Sequence, residues 1–325
     1  MNTPTQELSS NSAMLTQELS SEKFYIMPNN TIINIKKEYF GKIDHLDLDL
    51  IVAQVIKKSR EFVMAHPEHK PTGAQLAKIR TFAQRRGCHE PLAYILGYKE
   101  FFGLNFKVSP DTLIPRPETE LLIELALKGA QATKNNPEYS EQKTNIIDIG
   151  TGSGNIIISM ATNHKLPTTN YYAIDISKGA LKIAKQNARV NGVSDKIKFL
   201  HGNLLEPILK KDTRYKIQNT KLIILANLPY LSQEIYSATL PNVKKFEPKS
   251  ALWSAKEGLD HYERLLEQIK KLLVTDYELP VTIFLEISPE QKTKLPKIIK
   301  KYLSKAQIEF YKDLANKWRV CKIVI

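Results

Sequence analysis

The chain has 325 residues, two cysteines, and 47 Lys and Arg against 34 Asp and Glu. That length gives room for two domains and a substantial core, and the composition is that of an ordinary globular protein. No apolar run approaches the roughly 20 residues of a membrane span, and the polar N-terminus is unlike a signal peptide. Cys88 and Cys321 stand far apart without metal-ligand spacing, so structural thiols in a reducing cytoplasm and no metal are expected. Nearly all of the net charge of +13 falls in residues 121–325. Such a bias suits a polyanionic partner, or equally a lysine-rich surface with none, because the lysines are scattered rather than interleaved with aromatics.

In chain order, residues 1–30 are rich in Ser, Thr, Asn and Gln and repeat Thr5–Ser10 as Thr16–Ser21. A disordered tail is expected there, since two short polar copies make no solenoid. Residues 31–95 read as a small helical domain, of a kind that binds a macromolecule or packs on a catalytic domain. One helix is expected from about Asp44 to before Pro67, and a second, capped by Thr72, to Gly87. Residues 96–120 read as a hairpin and linker, with Phe102, Leu104, Phe106 and Val108 alternating around Gly103. Pro115 and Pro117 then enclose Arg116, whose guanidinium either reaches an anion or substrate or pairs with Glu118 or Glu120.

Strand and helix alternate through residues 121–325, which predicts a mostly parallel, doubly wound sheet. The strands include Ile146–Ile147, Tyr171–Ile174, Ile197–Leu200, Leu222–Ala226 and Val281–Ile287, with a closing pair at 308–312 and 319–325. Gly150, Thr151, Gly152, Ser153 and Gly154 sit at the first strand-to-helix junction. Alternate glycines let the backbone approach a ligand, and the amides at a helix start can meet a carboxylate or phosphate. The dinucleotide fingerprint would put the third glycine at position 155, which is Asn, so the spacing suits S-adenosylmethionine better than NAD. Asp175 ends the second strand, where a carboxylate can take both ribose hydroxyls. Asn203, ending the third, can bond an adenine edge while Leu204 packs on the ring.

The fourth strand stops at Asn227-Leu228-Pro229-Tyr230. The Asn227 side-chain oxygen and the Leu228 carbonyl offer two acceptors to one planar amino group. Pro229 stiffens the hook, and Tyr230 offers a flat face to an amide or base. No residue of the hook is an obvious strong base.

With these residues in place, residues 46–325 resemble the HemK/PrmC family, the release-factor glutamine N5-methyltransferases. The resemblance rests on Thr112–Glu120, Asp148–Gly154 and Asn227–Tyr230, and on Phe246-Glu247-Pro248, Leu285-Glu286-Ile287 and Tyr311–Leu314. It implies a Rossmann-like class I S-adenosylmethionine-dependent methyltransferase domain, joined by a β-hairpin hinge to a helical N-terminal domain that engages the release factor. The implied substrate is the glutamine of the release factor's Gly-Gly-Gln loop, held by Asn227 to Tyr230. A monomer with no specific nucleic-acid partner and no membrane association is expected.

Three positions depart from the family pattern: Leu228 stands for a proline, Asn203-Leu204 for an Asp-aromatic pair, and Asn316 for a glycine. Asn-Leu-Pro-Tyr is also carried by ribosomal RNA adenine dimethyltransferases. A nucleic-acid amino methyltransferase that flips a base onto Tyr230 therefore stays open. So do a ribosomal-protein glutamine as target and a non-catalytic S-adenosylmethionine-binding protein. The Leu113–Glu120 segment and the helical domain favour the release factor.

Overall fold

A computed structural model describes residues 30–134, 143–163, 169–210, 220–273 and 280–325. The repeated tail lies almost wholly outside them. Contacts divide the chain into Met1–Cys88 and His89–Ile325. The first unit contains helices Ile32–Glu38, His45–Ile56, Arg60–Ala65 and Gly73–Gly87. Where one helix was expected before Pro67 there are two. Lys57 turns left-handed (φ 56°) and ends the first, and the Ser59 hydroxyl accepts from the Phe62 amide to start the next. A serine that can bond the backbone locally favours a cap over continuation. Thr72 forms the capping box with Gln75. Leu48, Ile51, Val52, Leu76 and Ile79 are buried along the apolar stripes of these helices.

The second unit begins with the short helix Leu92–Leu96 and the antiparallel hairpin β1 (Tyr98–Phe101) and β2 (Leu104–Lys107). Phe102 and Gly103 both take positive φ at its turn, which is what a tight two-residue hairpin connection requires. The hairpin is built into this unit. Phe101 and Phe106 are buried in one of its cores, and Asn187 exchanges two hydrogen bonds with the Lys107 backbone.

The main sheet runs in the order β5–β4–β3–β6–β7–β9–β8, from β3 (Thr144–Ile149), β4 (Thr169–Asp175), β5 (Ile197–His201), β6 (Lys221–Ala226), β7 (Val281–Glu286), β8 (Gln307–Lys312) and β9 (Trp318–Val324). The first five are parallel, and β9 and β8 close the sheet antiparallel. Alternate residues serve opposite faces. Ile223 and Leu225 join the core under helices Glu120–Lys134 and Asn155–Asn163. Leu222, Ile224 and Ala226 join the core under helices Asp260–Leu273 and Leu295–Tyr302. Period-two burial on both faces explains the continuous apolar runs in the sequence. Cys321 lies in that second core, whereas Cys88 is exposed at a helix end, so only one thiol is structural. Asn316, where the family has glycine, takes φ 61° in the β8–β9 turn, a conformation Asn tolerates.

This strand order places a topological switch point between β3 and β6. The chain leaves β3 toward β4 and β5 on one side, and returns through β6 to β7 on the other. Ligands in open α/β sheets bind beyond the strand ends at such a point.

Candidate active site

A cavity of about 390 Å³ opens at the C-terminal ends of β3, β4, β5 and β6, a size suited to a nucleoside ligand. Gly150, Thr151, Gly152 and Ser153 line it with Asp175, Asn203, Leu204, Asn227, Leu228, Pro229 and Arg116. Two predicted residues do not. Gly154 faces the protein (φ 82°), where a Cβ would stand 2.8 Å from Ile158 and 3.2 Å from Ala184. It permits close packing of the next helix rather than contact with a ligand. Tyr230 also turns inward, packing against the core with its hydroxyl on Glu286, instead of offering a stacking face to the cavity.

The glycine loop is fixed from below. Thr151 Oγ1 donates to Asp148 Oδ2 at 2.6 Å, and Gly150 and Thr151 amides both bond the Ile174 carbonyl at the end of β4. Burial pushes the Asp148 carboxyl up to about 7, the Thr151 bond only partly opposing it. Asp175 accepts from the Gly152 amide at 2.9 Å through one oxygen and from Ser177 at 2.8 Å through the other. Each oxygen keeps a further lone pair for a ribose hydroxyl. Desolvation raises the Asp175 carboxyl from its ordinary range, and the backbone bonds pull it back. Leu204 is held at φ 53° with its side chain buried in the core beside the cavity, while Asn203 donates to Glu206 at 3.3 Å. The Gly150, Thr151, Gly152 and Gly154 amides are thus bonded within the protein, and what the loop offers a nucleoside with an amino-acid tail is close backbone approach beside a strand-end carboxylate and an apolar wall.

The Asn227 hook is braced by residues far away in sequence. Asn227 Nδ2 donates to Thr119 Oγ1 at 3.1 Å, and Thr119 Oγ1 donates to Glu286 Oε2 at 2.6 Å. The Tyr230 hydroxyl donates to the other carboxylate oxygen at 3.3 Å. Register explains the meeting: Ala226 pairs with Leu285, so Asn227 and Glu286 leave adjacent strands side by side. Glu286 is fully buried, and desolvation raises its carboxyl to about 7 against the Thr119 bond, Arg319 and the Tyr230 bond, which lower it. Behind the hook, Gln291 donates to the carbonyls of Tyr230 and Gly258. Gly258 is obligatory there (φ 84°), since a Cβ would stand 2.0 Å from the Tyr230 oxygen.

Arg116 pairs with neither Glu118 nor Glu120. Its partner is the buried Glu247, at 2.5 Å, which also accepts from the Ile114 amide at 3.2 Å. Glu120 instead caps the hairpin turn through the Phe102 amide. The guanidinium still borders the cavity, but its charge is answered within the protein. Thr119, Gly258 and Gln291 were missed in the sequence. Glu286 had a readable signal, an acidic residue ending an apolar strand as Asp175 does. No local pattern marks Thr119, which works through its distance from Asn227 in space alone.

A family profile described as a methyltransferase domain matches residues 140–315, and a PrmC N-terminal domain profile matches residues 41–97. The release factor glutamine methyltransferase of Clostridium botulinum is 32% identical over 288 residues, 89% of this chain and 94% of that protein. That of Coxiella burnetii is 36% identical over 234 residues, covering 72% and 76%. A bifunctional methyltransferase of Rickettsia prowazekii is 31% identical over 290 residues, covering 86% of this chain and 53% of that one.

Proposed function

The chain belongs to the family of release factor glutamine methyltransferases, and on that premise we propose that it methylates the side-chain amide nitrogen (N5) of the glutamine in the Gly-Gly-Gln loop of a peptide chain release factor. S-adenosylmethionine is the donor and supplies a methyl group on a positively charged sulfur. Gly150 to Ser153 would hold its amino-acid end, Asp175 its ribose, and Asn203 with Leu204 its adenine.

The observation that carries this reading is the orientation of Asn227 at the cavity wall. One N–H of its Nδ2 goes to Thr119, which turns Oδ1, an acceptor, away from that hydroxyl. Leu228 borders the same cavity and brings a backbone carbonyl within a residue of it. A carboxamide nitrogen is a poor nucleophile because its lone pair is delocalised into the carbonyl. Two acceptors on its two N–H bonds orient the nitrogen and favour electron density on it, and alignment with the donor supplies most of the acceleration. Asn227 meets the Glu286 carboxylate only through Thr119, so the hook itself carries no base, and the proton leaves after transfer.

In this reading the helical unit receives the body of the release factor, and the hairpin segment 96–120 joins it to the chemistry. The enzyme acts as a cytoplasmic monomer, without a specific nucleic-acid partner. The test is incubation with methyl-labelled S-adenosylmethionine, purified release factor, ribosomal protein and ribosomal RNA, with and without nuclease. Label is expected on the release factor and to survive nuclease. Label confined to RNA, or lost with it, overturns the proposal.

A further inference from the structure

To orient a carboxamide nitrogen, the Asn227 amide must face the substrate with its oxygen, yet an asparagine amide fits a pocket either way round. Something must choose. Glu286 is buried and, when ionised, can only accept. Both hydroxyls that reach it, Thr119 at 2.6 Å and Tyr230 at 3.3 Å, must therefore point their protons at it. With its proton committed, Thr119 Oγ1 has only lone pairs left for Asn227, and only the NH2 end of the amide can meet them. The amide oxygen is thereby forced to the other side. The chain of three bonds is directional: reversing one reverses the next.

Resting on the proposed glutamine methylation, we propose that Thr119 and Glu286 are positioning residues that set the polarity of Asn227, so that the hook presents an acceptor rather than a donor to the substrate amide. Neither residue need touch the substrate for this. Thr119 is buried at the end of the turn Pro117–Thr119, and Glu286 is buried at the end of β7. The stiff Pro115–Thr119 segment thereby does more than link two parts of the chain. The prolines hold Thr119 at one fixed distance from two strand ends.

Glu286→Gln keeps the size and burial but offers one acceptor where two hydroxyls donate. The glutamine nitrogen can then donate to Thr119, whose proton turns to Asn227 and flips its amide. Thr119→Val removes the relay with little change in volume, and Thr119→Ser preserves it. Turnover on the release factor, KM, S-adenosylmethionine affinity by calorimetry and thermal unfolding are measured for each. Expected are a fall in kcat of about tenfold or more for Glu286→Gln and Thr119→Val, with S-adenosylmethionine affinity within about twofold, and near-wild-type turnover for Thr119→Ser. The double variant should be no slower than the worse single one, because both break the same chain. Independent, multiplying losses would indicate two unrelated structural defects and overturn the inference, as would wild-type kcat in Glu286→Gln. Should Glu286→Gln fail to fold, the Val and Ser variants at position 119 decide alone: equal kcat in the two overturns it. A wild-type enzyme that leaves the release factor unlabelled refutes the functional reading instead.

Discussion

The two sides of the switch point are built on different principles. On the β3–β4 side the binding groups are held locally: the glycine loop, Asp148, Thr151 and Asp175 lie within 28 residues, and most of their bonds are to backbone. On the β6–β7 side Asn227 depends on Thr119, 108 positions earlier, and on Glu286, 59 positions later. A local site recurs wherever one strand, turn and helix recur, which suits a widely shared cofactor. A site assembled across the sheet is tied to one fold and one register, and so can specify one substrate.

The largest expected effect separates the two sides. Asn227→Ala should reduce kcat by about 100-fold or more, the scale for removing one preorganised group that orients the reacting centre, while S-adenosylmethionine affinity stays nearly intact. Asp175→Ala should do the reverse, weakening S-adenosylmethionine binding by about 1–3 kcal/mol. If both substitutions damaged both quantities equally, the sides would not be independent. Calorimetry and steady-state kinetics on the pair make the distinction.

Gly258→Ala tests how rigidly the hook is braced. Positive φ and a Cβ 2.0 Å from the Tyr230 carbonyl predict a loss of about 3 kcal/mol or more in unfolding free energy, read by urea titration. A loss below about 1 kcal/mol would show that the segment behind Tyr230 yields easily.

A smaller effect appears with pH. Burial raises both Glu286 and Asp148 to about 7, so each is increasingly neutral below that value. The Thr119 relay needs Glu286 ionised. Turnover should therefore fall as pH drops through about 7, by several-fold, and the fall should be shallower in Glu286→Gln. Thr119, Tyr230, Tyr262, Arg319 and Glu118 surround that carboxyl, and among them Tyr230 stays protonated because burial and Glu286 hold its hydroxyl well above the usual range. Stability should run the opposite way. A carboxyl raised on folding favours the folded state fully below its unfolded value near 4.5, and loses that contribution as pH rises through about 7. Stability between pH 5 and 8 should decline less in Glu286→Gln, with Asp148 keeping part of the slope.

The smallest effect concerns Leu228→Pro. The acceptor at this position is a backbone carbonyl, so turnover should stay within about threefold, the lost burial of Leu228 costing about 1 kcal/mol. A hundredfold loss would mean that the leucine side chain itself shapes the substrate site.

What was legible in the sequence follows the same division. Apolar strands ending at Gly150, Asp175 and Asn227 displayed the sheet and its binding edge, because strand runs and turn residues are properties of neighbours in the chain. Thr72 displayed its cap for the same reason. The break at Lys57 was hidden in a continuous helical spacing. The orientation of Tyr230 was hidden too, since an aromatic after Asn-Leu-Pro serves equally as a stacking face or as a buried hydroxyl donor. Arg116 pairs with a residue 131 positions away, and no nearby acid could reveal that. Contacts that close across the sheet become visible only once register is set.

The central claim is that the hook grips a carboxamide and directs methylation to its nitrogen. It is tested most directly by mapping the methyl group, by mass spectrometry, on a release factor carrying Gly-Gly-Gln and on its Gly-Gly-Glu variant. One methyl group is expected on the glutamine side chain of the first and none on the second, which offers no side-chain nitrogen. Equal methylation of both proteins, or a methyl group mapped elsewhere on the Gly-Gly-Gln protein, would contradict it.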